Sequence, residues 1–383
     1  MKNPPGSKIL SAKAAKELAL SLGSEVSIVS GNDEIPKTDF DLAIASPGIS
    51  SLHRWFGELQ ARNVGIVSEM QFGVEYLKER GYKIVAVTGS KGKSSVVKLL
   101  ANALGAVPCG NFGLPVSAAR SPSKWAVVEV SSFMMETTFL PPGTFECAVI
   151  LNLQEDHLDR HRTVENYHAL KRRLLSMARE KVDFPVDSSA VENIDEIIKG
   201  TYFDNSILKA NAASAISALR KCSVSEEKIA EAFRNFKPLP HRMQFVDEIN
   251  GIQFINDSKS TSLKSLAAAV EMCSHSGIRL IAGGRPKGEK PEKYIFCLTK
   301  RVKKVYLIGE SAELFSKAWS PHVECEICTT LEKAFETVLH DASPGEAVLL
   351  SPGAASYDQF ENFERRGEIF ASLIKTAKGK SNE

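Results

Sequence analysis

Apolar residues follow two alternating patterns along the chain, and these patterns predict strands and helices in turn. Short apolar runs are typical of parallel strands buried on both faces; examples are KIVAVT at 83–88, WAVVEV at 125–130 and CAVILNL at 147–153. Between such runs, apolar residues recur every three or four positions, as in the helix predicted over residues 93–104. Strands that alternate with helices in this way predict an α/β fold.

The alternation divides the chain into three α/β segments. Residues 1–82 hold a helix predicted over 8–22, followed by three runs expected to form strands buried on both sides: EVSIVS, DLAIAS and VGIVS. Residues 83–238 hold the apolar runs quoted above, together with helices predicted over 93–104, 163–179, 207–219 and 226–236.

The third segment begins after KPLPHR, where Pro238 and Pro240 predict a linker. The stretch MQFVDEINGIQFIND predicts a hairpin with Asn250 and Gly251 at its turn. The rest of residues 239–383 alternates helical stretches with three more apolar runs, which are RLIAGG, KKVYLIGE and EAVLLSPG. This pattern again predicts an open α/β sheet.

The composition is that of a globular protein with little net charge. The chain has 383 residues and a formal net charge of +2, and it lacks a long basic run, so it is not expected to bind nucleic acid. No apolar stretch approaches the roughly 18–20 residues that a membrane span needs, and the start MKNPPGSKIL lacks the apolar core of a signal peptide. We expect a cytoplasmic monomer with no membrane contact.

Seven scattered cysteines fit a reducing compartment. Cys325 and Cys328 have the C-x-x-C spacing of zinc and redox motifs. There is no second pair and only His322 is nearby, so the plainer interpretation is a strand end before a helix over 331–339.

The stretch VTGSKGKSS at 87–95 lies between a predicted strand and a predicted helix, where α/β proteins bind phosphate. Gly89 and Gly92 allow the backbone to turn towards an anion, Lys93 can reach terminal phosphates, and Ser94 can offer a hydroxyl to Mg²⁺. Val87 stands where the general phosphate loop has its first glycine. The alternative is a polar strand-to-helix turn, but strand, loop and helix together favour a nucleotide site.

Two further side chains follow neighbouring strands. Glu129 lies near the end of WAVVEV, and His157 lies just past CAVILNL. The carboxyl ends of adjacent parallel strands meet at one edge of the sheet, so both side chains are expected near the phosphates. Each could instead cap a turn.

The third segment has a polar cluster of its own. Asp257, Lys259 and Thr261 follow the hairpin, with His241 and Arg242 before it. Two other strand ends carry polar stretches, at 283–287 and 351–358. The cluster predicts a site for a small charged ligand, although Lys287 could equally be a solvated surface lysine.

Eight stretches, taken in order, resemble the motifs of the Mur ligase family, the ATP-dependent amide-forming enzymes of peptidoglycan synthesis. The phosphate loop is similar to the family's T-G-[ST]-x-G-K-[ST], which accounts for Val87. The other stretches, within a resemblance that covers about residues 41–369, are ASPGI, GNFGLP, VVEVSSFMMET, ILNLQEDHLDRH, KPLPHRM, FINDSKSTS and LLSPGAASYDQFENFERRG.

The resemblance implies an α/β fold of three domains. These would be a shortened Rossmann-like domain for the UDP substrate at 1–82, a shortened central P-loop ATP-binding domain at 83–238, and a Rossmann-like amino-acid-binding domain at 239–383. The N-terminal segment lacks the family's usual Gly-rich turn for UDP, so Ser46 and Gly48 would have to contribute more.

Within the family, the resemblance is to the branch that adds D-glutamate to UDP-N-acetylmuramoyl-L-alanine (UDP-MurNAc-L-Ala). In that reaction the substrate carboxylate attacks the γ-phosphate of ATP, and the amine of D-glutamate then displaces phosphate from the acyl phosphate. Cations must offset the charge as a carboxylate meets a polyanion. The implied catalytic residues are Lys93, His157 and Lys171.

The resemblance implies two Mg²⁺ ions, one on Ser94 and Glu129 and one on His157, with a carbamylated Lys171 helping to hold the second. Carbamylation needs a neutral amine, and at an ordinary pKa near 10.4 only about one lysine in 2,500 is neutral at pH 7. Without the resemblance Lys171, followed by Arg172 and Arg173, would be interpreted as an exposed helix lysine.

The remaining implied contacts fall into three groups. ATP would be held by Gly89, Ser90, Lys91, Gly92, Lys93, Ser94, Ser95, Asn211, Arg242 and Asp257. The UDP substrate would be held by Ser46, Gly48, Asn111 and Ser131. D-Glutamate would be held by Lys259, Thr261, Lys287, Ser356 and Phe363.

Two alternatives stay open at this point. One is a ligase of the folylpolyglutamate synthase kind, which the unusual N-terminal segment favours and SPGAASYDQF argues against. The other is a non-catalytic nucleotide-binding relative. Such a protein would not need Lys93, Glu129, His157 and Lys171 together.

Overall fold

A computed structural model of the chain describes residues 35, 37, 39–154, 158–275 and 277–381. These residues form two compact units, one up to Phe203 with Lys209–Asn235 and the other made of Asp204–Leu208 with the chain from Phe236 onwards. Each unit is built on a mainly parallel sheet, which confirms the predicted α/β class. The helix predicted over 8–22, the strand EVSIVS and His157 lie outside the described residues.

The described N-terminal part of the first unit contains a two-stranded parallel sheet of β1 (Leu42–Ala45) and β2 (Gly65–Ser68), with helices α1 (Arg54–Ala61) and α2 (Glu69–Glu79). We predicted strands buried on both faces, and for β1 this is wrong. Leu42 and Ile44 are 45% and 48% exposed. Within the described residues each of these strands pairs only with the other, so both are edge strands of a small sheet and neither is the interior strand of a larger one.

The rest of the first unit is a five-stranded parallel sheet in the order β4-β5-β3-β6-β7. Its strands are β3 (Lys83–Thr88), β4 (Val107–Gly110), β5 (Trp125–Glu129), β6 (Phe145–Ile150) and β7 (Ala178–Val182). Its helices are α3 (Lys93–Leu104), α4 (Ser132–Glu136), α5 (Leu158–His161), α6 (Val164–Ser176), α7 (Ile194–Ile198), α8 (Lys209–Lys221) and α9 (Glu226–Arg234).

The apolar runs that predicted β3, β5 and β6 form the centre of this sheet. Ile84, Ala86, Val128 and Ala148 pack into one core cluster and are fully buried. Central parallel strands are covered on both faces, which explains why their sequences are continuously apolar. Because β3 is the middle strand, the loop that follows it leaves the sheet between the ends of β5 and β6.

The sequence prediction was also wrong at the end of helix α6. The helix expected over 163–179 ends at Ser176, and β7 begins at Ala178 as an edge strand. Only the first and last residues of β7 are buried, and its three central side chains are exposed, so the sequence AREKV has no apolar run to reveal it. Helix α7 was missed as well.

The second unit is a six-stranded sheet in the order β12-β11-β10-β13-β9-β8, parallel except for the β8–β9 hairpin. Its strands are β8 (Gln244–Ile249), β9 (Ile252–Asn256), β10 (Ile278–Gly283), β11 (Val302–Ile308), β12 (Glu324–Thr329) and β13 (Ala347–Leu350). Its helices are α10 (Leu263–Met272), α11 (Ile295–Arg301), α12 (Ala312–Trp319), α13 (Leu331–Asp341) and α14 (Phe363–Ser381).

The predicted hairpin is confirmed, and its turn residues Asn250 and Gly251 both have positive φ, as a two-residue hairpin turn requires. Cys325 and Cys328 lie in β12, ahead of α13, and are free thiols. No helix in the described ranges is long and apolar enough to cross a membrane.

Candidate active site

The loop after β3 turns sharply into α3. Gly92, directly before the helix, has a φ of 81°, and a Cβ atom there would lie 2.5 Å from Nδ2 of Asn211. A side chain at this position would therefore be strained and would collide with the Asn211 amide. Asn211 lies on α8, so the structure brings one of the predicted ATP contacts against the loop itself.

The residues that follow β6 brace this loop. The Ser90 amide donates to the Asn152 carbonyl at 3.0 Å, and the Asn152 side chain exchanges two hydrogen bonds with the Lys91 backbone, at 2.8 and 2.9 Å. The Gln154 amide donates to Ser90 Oγ at 2.9 Å, and Ser90 Oγ lies 3.1 Å from the Tyr167 hydroxyl. These hydrogen bonds from the residues after β6 hold the loop in one conformation.

Sequence reasoning did not identify Asn152, Gln154 or Tyr167. The available signals were modest. Asn152 and Gln154 come just after a strand adjacent to β3, and Tyr167 lies four residues before Lys171, a spacing that places both on one face of a helix.

Two lysine side chains converge on the same carbonyl of the loop. Lys93 Nζ donates to the Gly89 carbonyl oxygen at 2.8 Å, and Lys171 Nζ donates to that oxygen at 3.1 Å. Lys171 is only 1% exposed, its Nζ also contacts Thr88 Oγ1 at 3.3 Å, and it lies 4.7 Å from the centre of the Tyr167 ring. The interpretation of Lys171 as an exposed helix lysine is therefore wrong.

Glu129 ends β5 directly beside β3, where its register partner is Val87. Its side chain is 2% exposed; Oε1 accepts a 2.8 Å hydrogen bond from Asn111 Nδ2, and Oε2 is buried with no hydrogen-bond partner. A buried carboxylate oxygen without a partner is costly unless a cation satisfies it. Ser94, the other predicted Mg²⁺ ligand, is buried in the first turn of α3.

This donor set fits a Mg²⁺ ion held by one carboxylate, one hydroxyl and phosphate oxygens, which is the usual pattern for this ion. Among the residues that the structure describes, no cluster of three or more histidine, cysteine or acidic side chains is placed to hold a metal. The predicted second site on His157 involves a residue outside those ranges.

The predicted UDP-substrate residues lie in the same unit. The Asn111 backbone amide donates to the Glu129 carbonyl at 2.9 Å, and Ser131 Oγ caps α4 by accepting from the Met134 amide at 3.2 Å. Ser46 and Gly48 belong to a tight turn in which the Ile49 amide donates to the Ser46 carbonyl at 3.0 Å. Asn111 and Ser131 thus flank Glu129, and their role towards UDP stays a prediction.

A polar network connects the turn at residues 46–49 to the segment after β6. The Arg160 guanidinium makes two hydrogen bonds to the Glu136 carboxylate, at 2.8 and 2.7 Å, and a third to the Ile49 carbonyl at 3.2 Å. The buried His161 lies 2.9 Å from Ser132 Oγ through Nε2. The network fixes the chain that leads out of the undescribed residues 155–157.

The polar cluster of the second unit is centred on Asp257. Its Oδ1 accepts from the Met243 amide at 3.1 Å and its Oδ2 accepts from Ser351 Oγ at 2.9 Å. Burial raises the pKa of Asp257 to about 7, against the opposing effect of these two bonds and of Arg242 and Arg366. This predicted ATP contact is therefore a carboxyl that titrates near neutral pH.

The structure brings four of the five predicted D-glutamate residues together in two pairs. Lys259 Nζ lies 4.8 Å from the centre of the Phe363 ring, and Lys287 Nζ, on an exposed side chain, donates to Thr261 Oγ1 at 3.0 Å. Ser356 is buried in the loop after β13. The exposed Lys287 side chain is therefore held in place by its hydrogen bond to Thr261, another residue of the predicted site.

The raised pKa of Asp257 predicts an unusual pH dependence of stability. The folded state holds this proton up to about pH 7, whereas the unfolded chain releases it near 3.8, so this group's contribution to stability falls as the pH rises between those values. Asp257→Asn does not titrate. At pH 8 we expect its melting temperature to exceed that of the wild type by roughly 5 °C, and at pH 4.5 the difference should shrink to about a quarter of that.

Differential scanning calorimetry at both pH values measures this difference directly, and every other titrating group cancels in the comparison. If the difference in melting temperature were the same at both pH values, the pKa of Asp257 would not be raised in the folded state.

A glycine loop between strand and helix, two lysines on its carbonyl and a buried carboxylate beside it define a nucleotide-dependent α/β protein. Residues 87–237 match the family described as Mur ligase middle domain, and residues 241–353 match Mur ligase, glutamate ligase domain. The chain belongs to the Mur ligase family.

Curated relatives give the family branch. The chain is 31% identical to the UDP-N-acetylmuramoylalanine--D-glutamate ligase of Chlamydia caviae, over 89% of this chain and 85% of that protein. It is 32% identical to the ligase of the same name from Acidobacterium capsulatum, over 88% and 83%.

Solved structures support the fold. A UDP-N-acetylmuramate-alanine ligase from Thermotoga maritima superposes with a TM-score of 0.62 at 15% identity, covering 88% of this chain and 86% of that one. A MurF ligase from the same organism, in complex with ADP, gives 0.58 at 17% identity, covering 88% and 95%.

Proposed function

We propose that this protein is an ATP-dependent ligase that joins D-glutamate to UDP-MurNAc-L-Ala through an acyl phosphate. The observation that carries the proposal is the convergence of Lys93 and Lys171 on the Gly89 carbonyl, one strand away from the buried carboxylate of Glu129. Binding a nucleotide alone does not require a second buried lysine and an unpartnered carboxylate. The two curated relatives, with their shared name, support the choice of substrates.

In the first half-reaction a substrate carboxylate oxygen attacks the γ-phosphorus of ATP, and the bond to the β-γ bridging oxygen breaks as ADP leaves. Both reactants are anionic, so the barrier is mainly electrostatic. Lys93, on the first turn of α3, is the side chain best placed to follow the γ-phosphate. The N–H groups of the loop and the helix N-terminus bind the remaining phosphate charge.

Glu129 and Ser94 would hold a Mg²⁺ ion, which offsets charge on phosphate oxygens in transfers of this kind. Asn111 keeps the Glu129 carboxylate oriented by its bond to Oε1. We further propose that Lys171, with His157, serves a second Mg²⁺ as a carbamate. Tyr167 and Thr88 line the Lys171 amine and orient it towards the loop.

In the second half-reaction the amine of D-glutamate attacks the acyl carbon, phosphate leaves, and the amine loses a proton. We assign binding of the amino acid to the second unit. Lys287 and Thr261 would take one carboxylate, as their mutual hydrogen bond presents an ammonium and a hydroxyl together. Lys259, Ser356 and Phe363 would complete the pocket.

The three domains 1–82, 83–238 and 239–383 remain our proposed division, since β1 and β2 form a sheet separate from that of β3–β7. We also propose a cytoplasmic monomer. All seven cysteines are free thiols and five of them are buried, as suits a reducing compartment.

The decisive assay offers ATP, Mg²⁺ and UDP-MurNAc-L-Ala with a panel of amino acids and measures phosphate release. We expect release with D-glutamate, and at least about a hundredfold less with L-lysine, L-alanine or L-glutamate. L-Lysine and L-alanine lack the second carboxylate that the site would pair, and L-glutamate with both carboxylates paired would direct its amine away from the acyl carbon.

Release with L-glutamate but not D-glutamate, or only with a pteroate-type acid in place of UDP-MurNAc-L-Ala, would point to the folylpolyglutamate type of ligase. ATP binding without release under any combination would indicate a non-catalytic relative.

A further inference from the structure

Helix α14 carries two adjacent arginines with opposite environments. Arg365 is exposed, whereas Arg366 is 1% exposed. The Arg366 guanidinium bonds to oxygens of two loops: Nε donates to Ser258 Oγ at 3.0 Å, Nη2 donates to the Ser258 carbonyl at 2.8 Å, and Nη1 and Nη2 each reach the Ala354 carbonyl at 3.3 Å. Burial lowers the pKa of Arg366 to about 10, so it remains a cation at neutral pH.

A third loop lies against the same group. Gly284, after β10, approaches so closely that a Cβ atom there would lie 3.3 Å from Arg366 Nη1 and 2.3 Å from the Ala355 carbonyl oxygen. The guanidinium therefore lies where the loops after β9, β10 and β13 meet. A buried cation is tolerated only where its acceptors are held in place, so its bonds fix those loops relative to one another.

Each of these loops carries part of the predicted amino-acid site. Ser258 directly precedes Lys259, Gly284 leads to Lys287, and Ala354 leads to Ser356. The fourth part is α14 itself, which begins at Phe363, and Ser258 Oγ donates to the Phe363 carbonyl at 2.8 Å. The Asp257 carboxylate, by contrast, takes its hydrogen bonds from Met243 and Ser351. Arg366 acts on it only through its charge, which a lysine would keep.

We propose that Arg366 is a positioning residue for the amino-acid substrate, setting the spacing between the groups that bind its two carboxylates. It touches no reacting atom. The inference rests on the proposed function, since it takes that substrate to be an acidic amino acid bound by Lys259, Thr261, Lys287 and Ser356. Lysine cannot replace arginine here, because one ammonium lacks the planar fork that reaches two loops at once.

The test is steady-state kinetics of the full-length enzyme with Arg366→Lys, and with Arg365→Lys as the matched control on the same helix. Arg366→Lys should raise the KM for D-glutamate at least about tenfold, since small displacements of binding groups have large effects. The KM values for ATP and UDP-MurNAc-L-Ala should change less than about twofold, and Arg365→Lys should behave as the wild type. General loosening of the fold would instead lower kcat and alter every KM.

A second pair of variants, with smaller changes, tests the same proposal if Arg366→Lys does not fold. Ser258→Ala removes the hydroxyl that joins Arg366 to Phe363, while Ser260→Ala, in the same loop, removes a buried hydroxyl with no hydrogen-bond partner. We expect Ser258→Ala to raise the D-glutamate KM about threefold to tenfold, and Ser260→Ala to leave it unchanged.

Equal D-glutamate KM values in Arg366→Lys and wild type, or in Ser258→Ala and Ser260→Ala, would overturn the positioning role. If the wild type itself does not use D-glutamate, the failure lies with the proposed function.

Discussion

Replacing Lys93 with alanine is expected to lower ATP-dependent phosphate release by about a thousandfold, the effect of removing one preorganised electrostatic contact from a charged transition state. The reason is local. Lys93 lies on the first turn of α3, and its Nζ already reaches the Gly89 and Ser90 carbonyls at 2.8 and 3.3 Å. No other lysine starts from that turn and points back over the loop.

The measurement should separate the two half-reactions. Hydroxylamine traps an acyl phosphate as a hydroxamate, so Lys93→Ala should yield no trapped product even without an amino acid. Lys98→Ala, on the same helix α3, is the control and should keep near-normal trapping. Trapping by Lys93→Ala at the wild-type rate would remove Lys93 from the phosphate transfer.

The loop could be predicted from the sequence because its determinants are local. A strand, two glycines and a helix start lie within ten residues, and α3 begins and ends where predicted. The burial of Lys171 could not be predicted from its own neighbourhood, since Arg172 and Arg173 follow it. It depends on packing of α6 against β3, which is a long-range contact.

Arg366 is a case in which the sequence held more information than we used. Phe370 and Ile374 follow it at intervals of four and are fully buried, so the helical period places Arg366 on the inward face. An arginine on the apolar face of a helix is unexpected, and its presence there indicates a buried cation with fixed hydrogen-bond acceptors. Strand β7 gave no such signal, because its buried residues are only the two at its ends.

The second large effect is expected from Glu129→Gln. Glutamine can still accept from Asn111 Nδ2, but it places an amide nitrogen where the unpartnered Oε2 lies, and an amide nitrogen does not bind a cation. Activity at a fixed low Mg²⁺ concentration should fall by about a hundredfold, and part of the loss should be recovered at high Mg²⁺. A Mg²⁺ titration of phosphate release in both proteins measures this.

Asn111→Ala tests the same Mg²⁺ site by removing the hydrogen bond to the other oxygen of the Glu129 carboxylate. Removing the Asn111 amide leaves Glu129 Oε1 without its hydrogen bond and lets the Glu129 side chain rotate. The Mg²⁺ concentration for half-maximal activity should therefore rise about tenfold, a typical effect of removing a group that orients a metal ligand. Asn102→Ala, exposed on α3, is the matched control. If Asn111→Ala instead keeps the wild-type Mg²⁺ requirement and raises only the KM for UDP-MurNAc-L-Ala, then Asn111 binds the nucleotide sugar as the family resemblance implies, and its bond to Glu129 is incidental.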